Sequence, residues 1–272
     1  MTYGYQNLHT HTNYCDGRQP PEEMIQAALS IGCDSIGFSD HSYIPSDPGF
    51  SMTPETSAEY VREINAMKSK YEGTIEVFLG LELDCYTAIP YEGFDYIVGS
   101  VHYLKIGEEF RSVDSSGESL RLIVDNHFGG DYNSMLEAYF ETVAVNTGRM
   151  NTDIVGHFDL VTKFNFDGNC FDETHPRYIR AALDAMDEVL KDCRLFEVNT
   201  APMFKFGKPA PYPSAFLLKE LLKRGGEVLL SSDSHVADSL CYKFGEVKEL
   251  LKSIGFKYIK RLTKTGFIDV EL

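Results

Sequence analysis

Short, almost wholly apolar runs alternate with longer amphipathic ones along this chain. The short runs fall at Tyr5 to Leu8, Ser35 to Phe38, Ile75 to Leu83, Tyr96 to Val101, Ile154 to Val155, Leu195 to Val198 and Val228 to Leu230. Near-continuous apolarity of this kind belongs to parallel strands covered on both faces. Helical patterns lie between them, over Pro21 to Ile31, Thr56 to Tyr71, Ser134 to Thr147, Arg177 to Lys191, Ser214 to Arg224 and Asp238 to Ser253. Pro21 sits just inside one start, Ser or Thr precedes others, and Gly32, Gly73, Gly148 and Gly225 lie at or just beyond the ends, so capping chemistry marks the boundaries. Seven strand–helix units closing into one α/β barrel explain this order with the fewest assumptions. A last pair, Lys257 to Leu262 and Phe267 to Glu271 around Thr265-Gly266, reads as a closing hairpin. There is no internal repeat and no low-complexity linker.

One segment breaks the rhythm. From Tyr103 to Asn133 no periodicity is clear, and Gly107, Gly117, Gly129 and Gly130 are scattered among Asp, Glu, Ser and Asn. A loop that long in a compact domain is usually functional or disordered. Because it leaves the strand tip that carries His102, a lid loop at 103–133 is the expectation, with a disordered insertion as the alternative.

Composition narrows the function classes. The 272 residues, 43% of them hydrophobic, suffice for one barrel-sized domain spanning 1–272. The net charge of −16 argues against nucleic acid as a partner, since phosphate backbones call for a basic patch, and bound divalent cations would offset part of the acidity locally. Six cysteines without a CxxC pair fit reduced thiols in a cytoplasm. No run approaches the ~20 apolar residues of a membrane span, and Met1 to Leu8 is neither basic nor apolar. The expectation is a cytoplasmic protein without membrane or nucleic-acid partners, for which a homo-oligomer is an allowed assembly.

The chemistry is carried by histidines placed just after the apolar runs. His9-Thr10-His11, Asp40-His41, Val101-His102, Gly156-His157 and Asp233-Ser234-His235 each follow one. On a regular strand His9 and His11 share a side and reach one cation, and Asp16-Gly17 turns a carboxylate back towards the same rim. Any one of these histidines alone reads equally well as a core residue; the whole set at strand tips does not. Imidazole and carboxylate suit zinc, manganese or iron, and the strand tips of a parallel barrel are where such enzymes gather their catalytic groups. Glu82 ends an apolar run where an unpaired carboxylate would be costly, a difficulty that bridging two cations removes. Asp40 and Asp84 read better as hydrogen-bond partners of ligand histidines, and His127 and His175 as surface residues.

The ordered motifs His9-x-His11, Asp16-Gly17, Ser39-Asp40-His41, Gly80-x-Glu82, Gly99-Ser100-Val101-His102, Gly156-His157-Phe158-Asp159 and Ser232-Asp233-Ser234-His235 resemble those of the polymerase and histidinol phosphatase (PHP) superfamily. Within it, the likeness is greatest to the monofunctional histidinol-phosphate phosphatases, and it covers nearly the whole chain. The resemblance implies a distorted (β/α)7 barrel with three divalent metal ions, Zn, Fe or Mn. It assigns His9, His11, Glu82 and Asp233 to one ion, Glu82, His102 and His157 to a second, and Asp16, His41 and His235 to the third. Catalysis would rest on Glu82, Asp233 and His235.

The reaction implied is hydrolysis of a phosphate monoester, with hydroxide held by the cations as nucleophile. The substrate would be L-histidinol phosphate, split to L-histidinol and phosphate in histidine biosynthesis. Another small phosphorylated metabolite, such as a nucleotide or sugar phosphate, is the alternative. A proofreading or non-catalytic module tied to a DNA polymerase is disfavoured by the complete ligand set and the acidic charge. The similar phosphatases often carry arginines before a Pro-Tyr-Pro turn; here Lys205 and Lys208 precede Pro211-Tyr212-Pro213, which keeps the charge and loses the bidentate fork. Lys205 and Lys208 are candidate phosphate ligands, Arg18, Arg111 and Arg121 are further ones, and solvated surface charge is the bland alternative for each. Asp114 is a candidate for the substrate's cationic amine.

Overall fold

Each apolar run becomes a strand, and in the computed structural model, which describes residues 3–47, 49–87 and 91–272, these strands pair in parallel in sequence order. The chain runs β1 (Tyr5–Asn7), α1 (Pro21–Ser30), β2 (Cys33–Phe38), α2 (Pro54–Lys70), β3 (Glu76–Asp84), β4 (Tyr96–Ser100), β5 (Tyr103–Ile106) and β6 (Glu109–Ser112). It continues with α3 (Gly117–His127), α4 (Tyr132–Thr147), β7 (Ile154–Val155), α5 (Pro176–Val189), β8 (Leu195–Asn199) and α6 (Ala201–Lys205). Last come α7 (Ala215–Lys223), β9 (Glu227–Ser231), α8 (Phe244–Ile254), β10 (Tyr258–Thr263) and β11 (Gly266–Glu271). The seven-stranded sheet has the order β1-β2-β3-β4-β7-β8-β9. Just beyond the strand ends its two edges meet, as His11 N donates to Ser234 O (2.9 Å) and Ser234 N to His9 O (3.0 Å). The result is a nearly closed, distorted (β/α)7 barrel in a single domain. Between β3 and β4 no helix occurs among the described residues, so one of the seven expected strand–helix units is incomplete.

Side chains alternate across the barrel wall as the period of two requires. On β3, Val77, Leu79, Leu81 and Leu83 join the large core shared with the helices, whereas Phe78 belongs to a small inner cluster with Leu8, Tyr96, Val98, Ile154, Leu195, Leu229 and Leu262. That cluster is an apolar plug in the lower barrel. The same inward row of β3 continues upward through Gly80 to Glu82. Gly80 has no side chain because Tyr96 fills the space: a Cβ there would lie 2.2 Å from the tyrosine ring. The Tyr96 hydroxyl donates to Leu8 O at 2.6 Å, tying β4 to β1 across the interior.

The C-terminal hairpin β10–β11 forms as expected, but as a separate two-stranded sheet that closes the base of the barrel. Gln6 exchanges two hydrogen bonds with the backbone of Leu262 (3.0 and 2.8 Å), and the buried Arg261 donates to Gly4 O and Ser35 Oγ while pairing with Asp34.

The segment 103–133 corrects the reading of a structureless loop. Tyr103 to Ser112 is an antiparallel hairpin turning at Gly107 (φ 63°) and Glu108, and α3 follows, capped by Ser116 Oγ accepting from Ser119 N (3.0 Å). Four-residue strands are too short for alternation to stand out. The buried Leu120, Ile123 and Val124 of α3 do carry helical spacing, obscured by the surrounding glycines.

Filling the space that Tyr96 occupies tests this packing. Gly80→Ala should lower unfolding free energy by about 1–3 kcal/mol, the usual cost of overpacking. Urea denaturation of the metal-free protein measures it, and a wild-type midpoint would show that the interior is not packed as described.

Candidate metal centre and cleft

The polar residues predicted from strand tips occupy the layer directly above the apolar plug. Extensions of the strands build this layer: Glu82 N bonds Asp40 O, Ser42 N bonds Glu82 O, and Ser39 N bonds Thr10 O, so the His9, His41 and Glu82 backbones lie side by side. Glu82, 1% exposed, projects from β3 into a ring of five imidazoles. Its Oε2 lies 3.2 Å from His9 Nε2, 3.4 Å from His11 Nε2 and 2.8 Å from His41 Nδ1. Its Oε1 lies 2.9 Å from His157 Nε2, 3.4 Å from His102 Nε2 and 2.6 Å from the donating Ser100 Oγ. One carboxylate thus faces two groups of histidines with two different oxygens.

Asp233 and Asp16 extend the cluster outwards. Asp233 Oδ1 is 3.2 Å from His11 Nε2 and from His235 Nδ1, and Asp16 Oδ1 is 3.2 Å from His235 Nε2 and 3.7 Å from His41 Nε2. All nine candidate ligands therefore converge. Among five overlapping donor groups, each within 4.8 Å, are His9, His11 and Asp233; His9, Glu82 and His157; and His11, Asp16, His41 and His235. His41 belongs to two environments, since it also groups with Glu82 and His102. The division into three ligand sets implied by the resemblance is less sharp in the structure than in the motifs.

The donor set fits divalent cations on one specific observation. His9 Nε2, His11 Nε2 and Glu82 Oε2 are buried and make no hydrogen bond, although they face one another across 3.2–3.4 Å. Buried polar atoms are rarely left unpaired. Two donors that each sit about 2.05 Å from one tetrahedral ion are about 3.3 Å apart, so a shared cation would satisfy all three.

The electrostatics agree. Burial works to raise the Glu82 carboxyl, but His9, His41 and His102 and the His157 hydrogen bond hold it well below the usual range. Burial opposes ionisation of Asp233 as well, and Lys205, His235 and His9 outweigh it. Asp16, with its side chain 35% exposed, is lowered against partial desolvation by its bond to His235 and by His41. His102 and His235 lose stability as cations through burial, yet their acidic neighbours push both up to about 9. The carboxylates are thus anionic and ready to bind positive charge.

Behind the ligands lies a layer in which sequence reading named Asp40 and Asp84 and missed Glu197. Glu197, inward on β8 and 1% exposed, accepts from His9 Nδ1 (2.8 Å), Ser231 Oγ (2.6 Å), Asn199 Nδ2 (2.9 Å) and the His157 backbone N (2.6 Å). The signal was a carboxylate within the apolar run Leu195-Phe196-Glu197-Val198, the same signal that marked Glu82. Asp84 accepts from His102 N (3.1 Å) and lies 3.4 Å from its Nδ1. Asp40, pushed up to about 6 by burial, accepts from Thr12 N (2.9 Å). Away from the site, His175 caps α5 by accepting from Arg177 N (3.2 Å), and His127 lies in the last turn of α3.

A cleft of about 370 Å³ opens over the cluster, lined by Asp16, His41, Glu82, His102, His157, Asp233 and His235 on its floor. Its walls include Phe50, Tyr103, Asp114, Lys163, Lys205 and Tyr212. Lys205, on α6, lies 3.7 Å from Asp233 Oδ2 and 3.2 Å from His235 Nδ1. Lys163, unremarked in the sequence, pairs with Asp114 at 3.0 Å. Burial would raise Asp114, but His102 and Lys163 lower it. Three of the other candidate phosphate ligands lie elsewhere. Lys208 donates to Thr162 O (2.6 Å) beneath the Phe166 and Tyr212 rings in a separate pocket. Arg111 is half-buried beside Glu109, and Arg121 is exposed along α3 beside Asp125 (3.6 Å). Each of the three is held by a local partner away from the cleft.

Fold and site together define a parallel barrel with a histidine–carboxylate centre of the metalloenzyme kind. The PHP domain model matches residues 7–201, and the chain belongs to that family. A Deinococcus radiodurans protein named "Probable histidinol-phosphatase" is 30% identical over 93% of this chain and 94% of its own length. A Listeria monocytogenes HisK structure, described as a candidate histidinol phosphatase, superposes with a TM-score of 0.77 at 23% identity, covering 89% of this chain and 99% of that one. A Lactococcus lactis histidinol phosphate phosphatase, solved with Zn, L-histidinol and phosphate, gives a TM-score of 0.73 at 19% identity, covering 98% and 100%. Among the described residues no helix is long and apolar enough to cross a membrane.

The role of Glu197 is open to direct measurement. Glu197→Gln turns two acceptor oxygens into one acceptor and one donor facing donors, so stability should fall by about 2–4 kcal/mol and metal retention about 10–100-fold. Urea unfolding and competition with a chelator provide the two readouts; wild-type values in both would remove Glu197 from the support of the centre.

Proposed function

We propose that this chain hydrolyses L-histidinol phosphate to L-histidinol and phosphate as a metal-dependent phosphomonoesterase. The observation that carries the chemistry is the convergence of nine ligands around Glu82 under an open cleft, with three buried lone-pair atoms facing one point. The choice of substrate is supported by the relative of 30% identity that spans nearly the whole chain. His9, His11, Glu82 and Asp233 would hold one cation, Glu82, His102 and His157 a second, and Asp16, His41 and His235 a third, with Zn, Fe or Mn as the metal. When bound, such cations acidify a water and neutralise charge on phosphoryl oxygens.

The chain's own residues supply the rest. Lys205 brings a positive charge to the cleft beside Asp233 and His235, where an anionic phosphoryl group would lie. Asp233, kept ionised against burial by Lys205 and His235, would serve catalysis as an anionic ligand at the cleft floor. Phe50, Tyr103 and Tyr212 wall the cleft and reduce its access to bulk water, while Asp114 offers an anion to a cationic substrate group. The hairpin β5–β6 lies in the 103–133 segment that we read as covering the site, since Tyr103, Ser112, Asp114 and Ser115 line the cleft. We place the reaction in the cytoplasm, in keeping with six cysteines of which none is in a disulfide.

A panel of phosphomonoesters tests this reading. Histidinol phosphate should give the highest kcat/KM, a chelator should abolish turnover, and Zn or Mn should restore it. Preference for a nucleotide or sugar phosphate would replace the substrate while keeping the chemistry, and full turnover without metal would refute the chemistry itself. Lys205→Ala should lower kcat/KM by about 10–100-fold, equivalent to about 1.5–3 kcal/mol for a hydrogen bond to a charged group; unchanged kinetics would take Lys205 out of the substrate site.

A further inference from the structure

We infer that Cys15 is a positioning residue whose thiol fixes which ring nitrogen of His11 carries the proton, and so presents His11 Nε2 to the metal centre. The His11 ring is stacked between those of His41 and His235, with centroids 4.3 and 4.1 Å away and planes tilted by 32° and 29°. Stacking fixes the ring plane. It leaves two choices open: a half turn about the bond to the ring, and the two tautomers of a neutral imidazole.

Cys15 resolves both. Its Sγ lies 3.4 Å from His11 Nδ1 and 2.9 Å from Asp40 Oδ1. Asp40 Oδ1 is already an acceptor, because the Thr12 backbone N (2.9 Å) and Thr12 Oγ1 (3.0 Å) both donate to it. A thiol has one hydrogen, and here it goes to that carboxylate. The sulfur lone pair then faces Nδ1, so with a cation, in place of a proton, between Nε2 and the Asp233 and Glu82 oxygens 3.2 and 3.4 Å away, the His11 proton sits on Nδ1 and the lone pair on the buried Nε2. The chain folds back to make this contact: Gly17 lies so close to His11 that a Cβ would be 2.6 Å from its carbonyl carbon. Metal-binding histidines usually donate their second nitrogen to a carboxylate or carbonyl. His9 does so through Glu197. His11 reaches its carboxylate, Asp40, through a thiol.

This inference rests on the metal reading of the site, and the experiment separates the two. Long-range proton–nitrogen spectra of the 15N-histidine-labelled chain loaded with zinc report which nitrogen of each ring carries the proton. Wild type and Cys15→Ser should both show His11 protonated at Nδ1, since a hydroxyl also donates once and accepts, whereas Cys15→Ala should lose that signature. Zinc competition with a chromophoric chelator should show binding about 10–100-fold weaker in Cys15→Ala and within about threefold of wild type in Cys15→Ser. Wild-type tautomer and affinity in Cys15→Ala would overturn the inference, as would a Cys15→Ser as impaired as Cys15→Ala. So would an extra equivalent of zinc held by Cys15 and Asp40 themselves. A wild-type chain that binds no zinc would count against the metal reading, whereas wild-type zinc binding with an unaltered Cys15→Ala would count against Cys15 alone.

Discussion

A carboxylate buried to 1% exposure among five imidazoles is the constraint around which this barrel is organised. Removing a charge from water is expensive, and Glu82 is tolerated only because opposite charge or cations surround it. The five histidines come from four different strand ends, those of β1, β2, β4 and β7, so no local segment can assemble them. The barrel must close first. Closure in turn depends on a filled interior below the site, where Tyr96 occupies the space that Gly37 and Gly80 leave and anchors to Leu8 and Phe38 carbonyls. The apolar plug and the polar ring are thus successive layers of the same inward-facing rows.

The ring is held from behind by groups that do not face the cleft. Glu197 spends all of its accepting capacity on His9, Ser231, Asn199 and the His157 backbone, and Asp84 holds the His102 loop. Pre-set side chains lower the cost of binding a cation, because little rotamer freedom is left to lose. The acidity of the whole chain has a local meaning here. Glu82, Asp233, Asp16, Glu197 and Asp84 place several negative charges within one small volume, which divalent ions would balance.

Much of this was legible because the signals were local. A histidine directly after an apolar run is on a strand tip wherever the run is a parallel strand, and His9, His11, His41, His102 and His157 all followed that rule. Glu82 is legible as a carboxylate in an apolar run and as part of the Gly80-x-Glu82 motif; Glu197 obeys the same logic of burial, but none of the ordered motifs includes it. The phosphate candidates fared differently. Lys205 and Lys208 are three residues apart, yet one reaches the cleft and the other turns to Thr162, a distinction set by where α6 ends and by the aromatic shelf of Phe166 and Tyr212. Long, flexible cations take their partners from tertiary packing, which spacing does not encode. The β5–β6 hairpin was hidden for a related reason, as its four-residue strands are stabilised by the barrel beneath them and not by their own pattern.

The central claim is that Glu82 joins two cation sites through its two oxygens. Metal content per chain, measured by atomic emission on protein loaded with zinc and freed of excess, tests it most directly when Glu82→Gln is set beside wild type. The account predicts that wild type retains three ions, and that Glu82→Gln loses the two that Glu82 would contact together with its turnover. Wild-type metal content and near-normal turnover in Glu82→Gln would contradict it.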